Sequence, residues 1–121
     1  MNAEIFAGLK TNKRRDFLQE QSKKIPEDKI EAIKKIVSNS YGITIEQLLS
    51  KTRQGVIPVA RMAAMNIIKE NTRLSSTKVG NIFNKNHATV LYAYGQVEIL
   101  NNTNKHFAKK YLEISKLVQK T

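Results

Sequence analysis

A chain of 121 residues with 21 Lys and Arg against 10 Asp and Glu carries a net charge of +11 and contains no cysteine. That size supports one domain with a core of its own, and the missing thiols exclude a disulfide framework and a thiolate metal site. The basic excess implies a polyanionic partner, nucleic acid ahead of a membrane surface, and no apolar run is long enough to span a bilayer.

Residues 1–24 hold six basic and three acidic groups, with Phe6, Leu9, Phe17 and Leu18 as sparse apolar points. They read as a basic N-terminal arm or a loosely docked helix, closed by Pro26. In MNAEIFAGLKTNKRRD the charges follow the mildly apolar part, the wrong order for a secretory signal. A cytoplasmic, nucleoid-associated protein is expected. Residues 25–121 form the predicted domain.

Pro26 and the acids Glu27, Asp28 and Glu31 suit a helix start. Ile30, Ile33, Ile36 and Val37 recur at helical spacing, and Gly42 after Tyr41 is a stop. Thr44 and Gln47 make a capping box for a second, short helix over 45–49, with Ile43 and Leu48 placed as its hydrophobic staple. Ser50 to Ile57 (SKTRQGVI) is a basic loop. Pro58 opens a third helix, Val59 to about Thr72, apolar almost all round and therefore central. Arg61 and Lys69 are expected to reach the surface along their apolar stems.

Ser75 or Ser76 caps a fourth helix in which Val79, Ile82 and Phe83 face inward. Gly80 within it predicts a close helix crossing. Asn84-Lys85-Asn86 is a turn, and Asn86 caps a fifth helix over about 87–100. Its inner stripe is Val90, Leu91, Tyr94 and Val97, with His87, Ala88, Thr89 and Tyr92 outside or on the border. A last helix, about Lys105 to Lys120, carries Phe107, Leu112, Ile114, Leu117 and Val118. No segment shows strand alternation with turn chemistry, so the fold class is all-α, a compact domain of five to six helices.

Charge concentrates around the two helices joined at Asn84–Asn86. Residues 51–90 hold Lys51, Arg53, Arg61, Lys69, Arg73, Lys78 and Lys85 against Glu70 alone, a balance of +6. Two short helices with a polar turn, the second opening on Asn-His-Ala-Thr, read as a helix-turn-helix whose second helix meets base edges in the major groove. The partner expected is double-stranded DNA.

No catalytic constellation stands out. Glu70 has no partner acid, Ser75 and Ser76 have no His–acid relay, and His87 and His106 are isolated. No enzyme activity, cofactor, metal, membrane partner or small-molecule substrate is expected.

From about Ile30 to Val118 the chain resembles the C-terminal DNA-binding domain of the bacterial DnaA replication initiators. The segments SKTRQGV, ARMAAMNIIKENTRLS, VGNIF and NKNHATV align without gaps to the family pattern. Ala64-Met65, Lys69-Glu70, Thr72, Gly80, Phe83, His87, Thr89 and Val90 fall in register. The resemblance implies a TrpR/DnaA C-terminal-like fold with the fifth helix in the major groove and the basic loop 51–55 toward the minor groove.

By that resemblance, and for Tyr92 by its place one turn on, His87, Ala88, Thr89, Tyr92 and Arg53 are the base-contacting candidates. By charge and position around the motif, Lys51, Arg61, Lys69, Arg73, Ser75, Ser76, Lys78, Lys85 and Asn86 are the phosphate-contacting ones. Several readings stay double on position alone. Lys69 and Arg73 meet phosphate or only complement the helix dipole. Lys51 and Arg53 face DNA or are merely solvated. His87 contacts a base or merely begins a capped helix. Thr89 meets a phosphate or bonds back within its helix. Tyr92 packs on DNA or is half-buried.

Departures from the family fall on the same surface. Ala88 stands where a Thr is usual and can touch a thymine methyl but form no hydrogen bond. Lys85-Asn86 replaces Arg-Asp, and Gly95 and Gln96 stand where basic residues are common. The five glycines form no G-x-x-x-x-G-K-S/T loop, so ATP-driven assembly is not implied and the reading is a stand-alone DNA-binding domain. The expected role is sequence-preferring duplex binding in replication initiation or its regulation, or in transcription regulation. The alternative is a protein-interaction module that docks on or competes with replication proteins.

Overall fold

Pro26 opens the first helix, α1 (Pro26–Tyr41), with Glu27 and Asp28 in its first turn, where acids complement the positive end of the helix dipole. The computed structural model describes residues 26–120; the arm expected at residues 1–24 lies outside the described residues. Gly42 ends α1 at φ 68°. The Gly42 N–H donates to the Asn39 carbonyl at 3.2 Å and the Ile43 N–H to the Ser38 carbonyl at 3.0 Å. This pair of bonds forms around a left-handed residue, which glycine supplies without a Cβ penalty.

Helix α2 (Ile45–Leu49) carries the expected capping box. The Gln47 N–H donates to Thr44 Oγ1 at 3.0 Å, and the Thr44 N–H donates to Gln47 Oε1 at 2.9 Å. After the loop 50–56 come α3 (Ile57–Asn71), α4 (Ser76–Phe83), α5 (His87–Thr103) and α6 (Lys105–Gln119). The described residues hold six helices and no strand, an all-α fold. Helix α3 begins one residue before Pro58, which loses nothing there because first-turn N–H groups have no intrahelical partner. Helix α5 continues past residue 100 to Asn104, which ends it and also caps α6 by accepting the Phe107 N–H at 3.0 Å.

The all-round apolarity of α3 is explained by what surrounds it. Helices α1, α2, α4 and α5 all pack on it. Ala60, Ala63, Ala64, Met65, Ile67 and Ile68 are buried on α3, facing Ile33 and Val37 of α1, Leu48 of α2, Val79 and Phe83 of α4, and Val90, Ala93 and Val97 of α5 within one core. The three alanines let neighbouring backbones approach closely. Helix α6 closes the base against α1 and α5 with Phe107, Tyr111, Ile114 and Val118.

One polar knot lies inside this packing. Asn66 Nδ2 donates to Tyr111 Oη at 2.6 Å and to Glu70 Oε2 at 3.2 Å, and Tyr111 Oη donates to Glu70 Oε1 at 2.9 Å. Burial pushes the Tyr111 phenol well above its ordinary range, so the hydroxyl stays protonated and keeps its donor role. Glu70, which has no partner acid in the sequence, is thus a structural acceptor between α3 and α6.

One apolar residue assigned inward, Leu91, lies outside, and two leucines of α6 are exposed as well. Leu91 is 51% exposed, and Leu112 and Leu117 are 55% and 47% exposed. In α5 the inward line is Val90, Ala93 and Val97, which puts Leu91 about 100° away on the outer side. In α6 the buried place goes to Tyr111, so Leu112 turns outward.

Candidate nucleic-acid interface

The helix-turn-helix is α4, a three-residue turn and α5. Ser75, not Ser76, is the cap of α4: its Oγ accepts the Lys78 N–H at 3.2 Å. Asn84 ends α4 in the left-handed region at φ 57°, a conformation asparagine tolerates better than most residues. The Lys85 N–H then donates to the Gly80 carbonyl at 2.8 Å. Asn86 Oδ1 accepts the Thr89 N–H at 2.9 Å and starts α5.

Gly80 sets how tightly this turn closes. A Cβ built there would run into the Lys85 carbonyl oxygen and come within 3.3 Å of Val90 Cγ2. The absent side chain therefore admits both the turn backbone and the first inward residue of α5. The close approach expected from the sequence is present, and its main partner is the turn itself.

The first turn of α5 is open. His87, Ala88 and Thr89 are exposed, and Tyr92 is 64% exposed, so it is not half-buried. Beside them lies a cleft of about 360 Å³ lined by Arg53, Pro58, Arg61, Met62, Met65, Lys85, Thr89, Tyr92 and Ala93. Its floor is apolar and its rim cationic, with no carboxylate in the lining. Lys51 stands within electrostatic reach, and the Lys85 ammonium is held below its ordinary value by desolvation first, then by repulsion from Arg61, Arg53 and Lys51. Such mutual repulsion is relieved when an anion enters.

Arg61 needs correction. It is 6% exposed, not at the surface. Its Nε donates to the Leu48 carbonyl at 3.0 Å and its Nη2 to the Thr52 carbonyl at 3.2 Å. Leu48 belongs to the last turn of α2, where carbonyls have no intrahelical donor. Arg61 thus bridges the end of α2 to the basic loop, and burial lowers its pKa.

The remaining basic candidates divide. Lys51 and Arg53 are exposed on the loop, and Arg73, Ser75 and Lys78 are exposed at the entry to α4, with Ser76 half-buried. Lys69 sits elsewhere, its Nζ 4.8 Å from the centre of the Tyr94 ring, beside a polar cleft lined in part by Asn66, Glu70 and Glu98. The structure does not bring it to the rim formed by Arg53 and Lys85. Leu91, assigned inward from the sequence, joins the exposed surface of α5. Among the described residues no group of three or more His, Asp or Glu side chains is placed to hold a metal ion, and no helix is long and apolar enough to cross a membrane.

Comparison with known proteins matches this region. A family model described as the bacterial DnaA protein helix-turn-helix matches residues 30–97. The chromosomal replication initiator protein DnaA of Buchnera aphidicola subsp. Baizongia pistaciae is 42% identical over 90 residues, covering 74% of this chain and 20% of that protein. The protein of the same name from Thermodesulfovibrio yellowstonii is 45% identical over 85 residues, covering 69% and 19%. That of Flavobacterium psychrophilum is 39% identical over 88 residues, covering 72% and 18%. The chain spans about a fifth of the length of these curated relatives.

Proposed function

Because the chain belongs to the bacterial DnaA helix-turn-helix family, we propose that it binds duplex DNA with sequence preference, in the initiation or regulation of replication. Residues 25–121 are the DNA-binding domain in this reading, and the part shared with the initiators is the helix-turn-helix region. The role is recognition without catalysis, in the cytoplasm at the nucleoid. Helix α5 enters the major groove with His87, Ala88, Thr89 and Tyr92 foremost. The loop 51–55 carries Arg53 toward the adjacent minor groove. Lys51, Arg73, Ser75, Ser76, Lys78, Lys85 and Asn86 meet the phosphates.

One observation carries this reading: Arg53 and Lys85 converge beside the exposed start of α5, within reach of Lys51, with no carboxylate lining the cleft between them. A positive rim around an uncharged, protruding helix end suits a duplex, whose phosphates flank a groove of neutral base edges.

Selection from a random duplex library at near-physiological salt, followed by sequencing, tests binding and preference together. His87→Ala is expected to lose about 1–3 kcal/mol of discrimination at one or two base pairs of the selected site; competition titration against single-base variants measures it. Arg53→Ala is expected to weaken binding and to shallow the slope of log K against log salt, because one cation leaves the duplex surface. Equal affinity of wild type and the His87 variant for every duplex would sink the specific readout. If the protein ignores duplex DNA at low salt yet retains a replication protein, the interaction-module reading replaces this one.

A further inference from the structure

We propose that a cavity at the far end of α5 docks an acidic protein segment by taking up one of its aromatic side chains, a partner site separate from the duplex interface. The cavity measures about 200 Å³ and lies where α1, α3, α5 and α6 meet. Tyr41, Val59, Leu100 and Phe107 form its apolar wall. Tyr41, Val59 and Leu100 are only partly buried, so the wall opens to solvent. An apolar cavity of about 150 Å³ accepts a benzene ring, so this one has room for a single aromatic side chain.

The mouth sets the charge of what enters. Asn104 and His106 are exposed and Lys110 is half-buried; all three line the cavity, and no carboxylate does. Lys110 Nζ donates to the Ser40 carbonyl at 2.8 Å and lies 5.1 Å from the centre of the Tyr41 ring. These contacts hold the ammonium in place without neutralising it, which leaves a fixed cation for an incoming carboxylate. Asn104 Oδ1 accepts the Phe107 N–H at 3.0 Å, which orients the amide and leaves its Nδ2 protons for a backbone carbonyl of the partner. Around them α6 opens with the exposed Lys105 and Lys109, and residues 104–112 contain no acid.

This charge has no part in the duplex site. Thr89, Tyr92 and Ala93 of α5 line the cleft beside Arg53 and Lys85. Leu100 lies about 16 Å beyond Thr89 along the helix axis, at about 1.5 Å per residue. A duplex seated at the first turn leaves that far end open. A duplex also keeps its apolar atoms stacked inside and offers no stem to enter a pocket. A protein segment carries aromatic rings on side chains, and aromatic anchors in pockets carry much of the energy of protein contacts. A second copy of this chain, at +11, is repelled by the same lysines. The complement is an acidic segment with one aromatic anchor.

The test titrates the whole isotope-labelled protein with a synthetic peptide, Glu-Glu-Phe-Glu-Glu, and follows its amide resonances. Those of Leu100, Asn104 and Phe107 are expected to shift and saturate, while those of His87 and Tyr92 stay in place. Glu-Glu-Ala-Glu-Glu should bind about tenfold more weakly, the effect of withdrawing one aromatic side chain from an apolar pocket. His106→Glu, at an exposed position where an acid suits the helix N-terminus, should weaken the first peptide severalfold with the melting temperature unchanged. Leu100→Trp fills the cavity from its own wall and should erase the difference between the two peptides; His106→Glu keeps the test open if that variant fails to fold. Binding should persist when the protein is saturated with a selected duplex. Equal binding of both peptides reduces the site to surface charge and overturns the inference. Displacement of the peptide by duplex, or no saturable shift at millimolar peptide, also overturns it. Protein that sediments with phosphatidylglycerol vesicles while ignoring the peptide puts a lipid surface in its place. If no duplex binds, the function proposed above fails while the peptide titration still decides this site.

Discussion

Gly80→Ala is expected to destabilise the domain by about 1–3 kcal/mol, the usual range for forcing an extra carbon into closed packing. Two effects oppose each other. In a helix interior, Ala is intrinsically better than Gly by about 1 kcal/mol. Against that, the new Cβ would collide with the Lys85 carbonyl oxygen and press on Val90 Cγ2. The first obstacle is backbone, held by the Lys85 N–H to Gly80 carbonyl bond of 2.8 Å, so it cannot swing aside as a flexible side chain would. Relief requires the Asn84–Asn86 turn to move, and α5 begins at that turn. The steric term therefore wins. At this domain size each kcal/mol lowers Tm by roughly 4–8 °C, a shift that thermal melting by circular dichroism resolves.

Gly95→Ala is the internal control. Nothing lies within 4 Å of a Cβ at Gly95, and the residue is exposed inside α5. The same substitution there is expected to stabilise by about 0.4–1 kcal/mol. If both variants move in the same direction, helix propensity alone governs these sites and the close-packed turn is wrong. Binding adds a second readout, because a displaced turn moves His87 and Thr89 together and weakens selected and unrelated duplexes by different factors.

The fold was legible where local chemistry fixes it. Pro26 with its acids, the Thr44–Gln47 box, Gly42, Ser75 and Asn86 each satisfy or terminate a helix end with their own atoms, and all these boundaries appear in the sequence. The interior of α3 was legible because apolarity on every side leaves a helix nowhere to go but the centre. What escaped was decided between elements. Leu91 lies beside the inward line of α5, and hydropathy alone could not tell it from Ala93. Arg61 reads as a surface cation until two carbonyls from a separate helix and loop are brought to it. The pairing of Asn66 and Glu70 with Tyr111 spans more than 40 residues, beyond any local pattern. At the candidate interface the exposed first turn of α5 could be read from the motif. The convergence of Arg53 and Lys85 around one cleft could not, since 32 positions of chain separate them.

Arg61→Met is expected to destabilise the DNA-free protein by about 2–4 kcal/mol. Methionine keeps much of the apolar stem and removes both donors, leaving the Leu48 and Thr52 carbonyls without the 3.0 Å and 3.2 Å bonds they now accept. Hydrogen bonds from a charged group contribute about 1.5–3 kcal/mol each. The sum is reduced on two counts. Water reaches the loop side of the site, because the Thr52 bond is only part-buried. Removing the charge also relieves Lys85, which Arg61 repels. Urea unfolding without DNA is the deciding measurement, since a residue that only touched phosphate would leave it unchanged. Arg53→Ala, on the exposed loop, should stay within about 0.5 kcal/mol of wild type in that experiment. Hydrogen exchange should then report faster exchange confined to residues 50–56 in the Arg61 variant, where the loop has lost its tie to α3. Should Arg61→Met unfold at the wild-type urea concentration while flattening the salt dependence of DNA binding, Arg61 is a phosphate contact after all. In the expected case Arg61 acts one step back from the duplex: its charge is spent on carbonyls, and what it contributes to recognition is the place from which Arg53 reaches out.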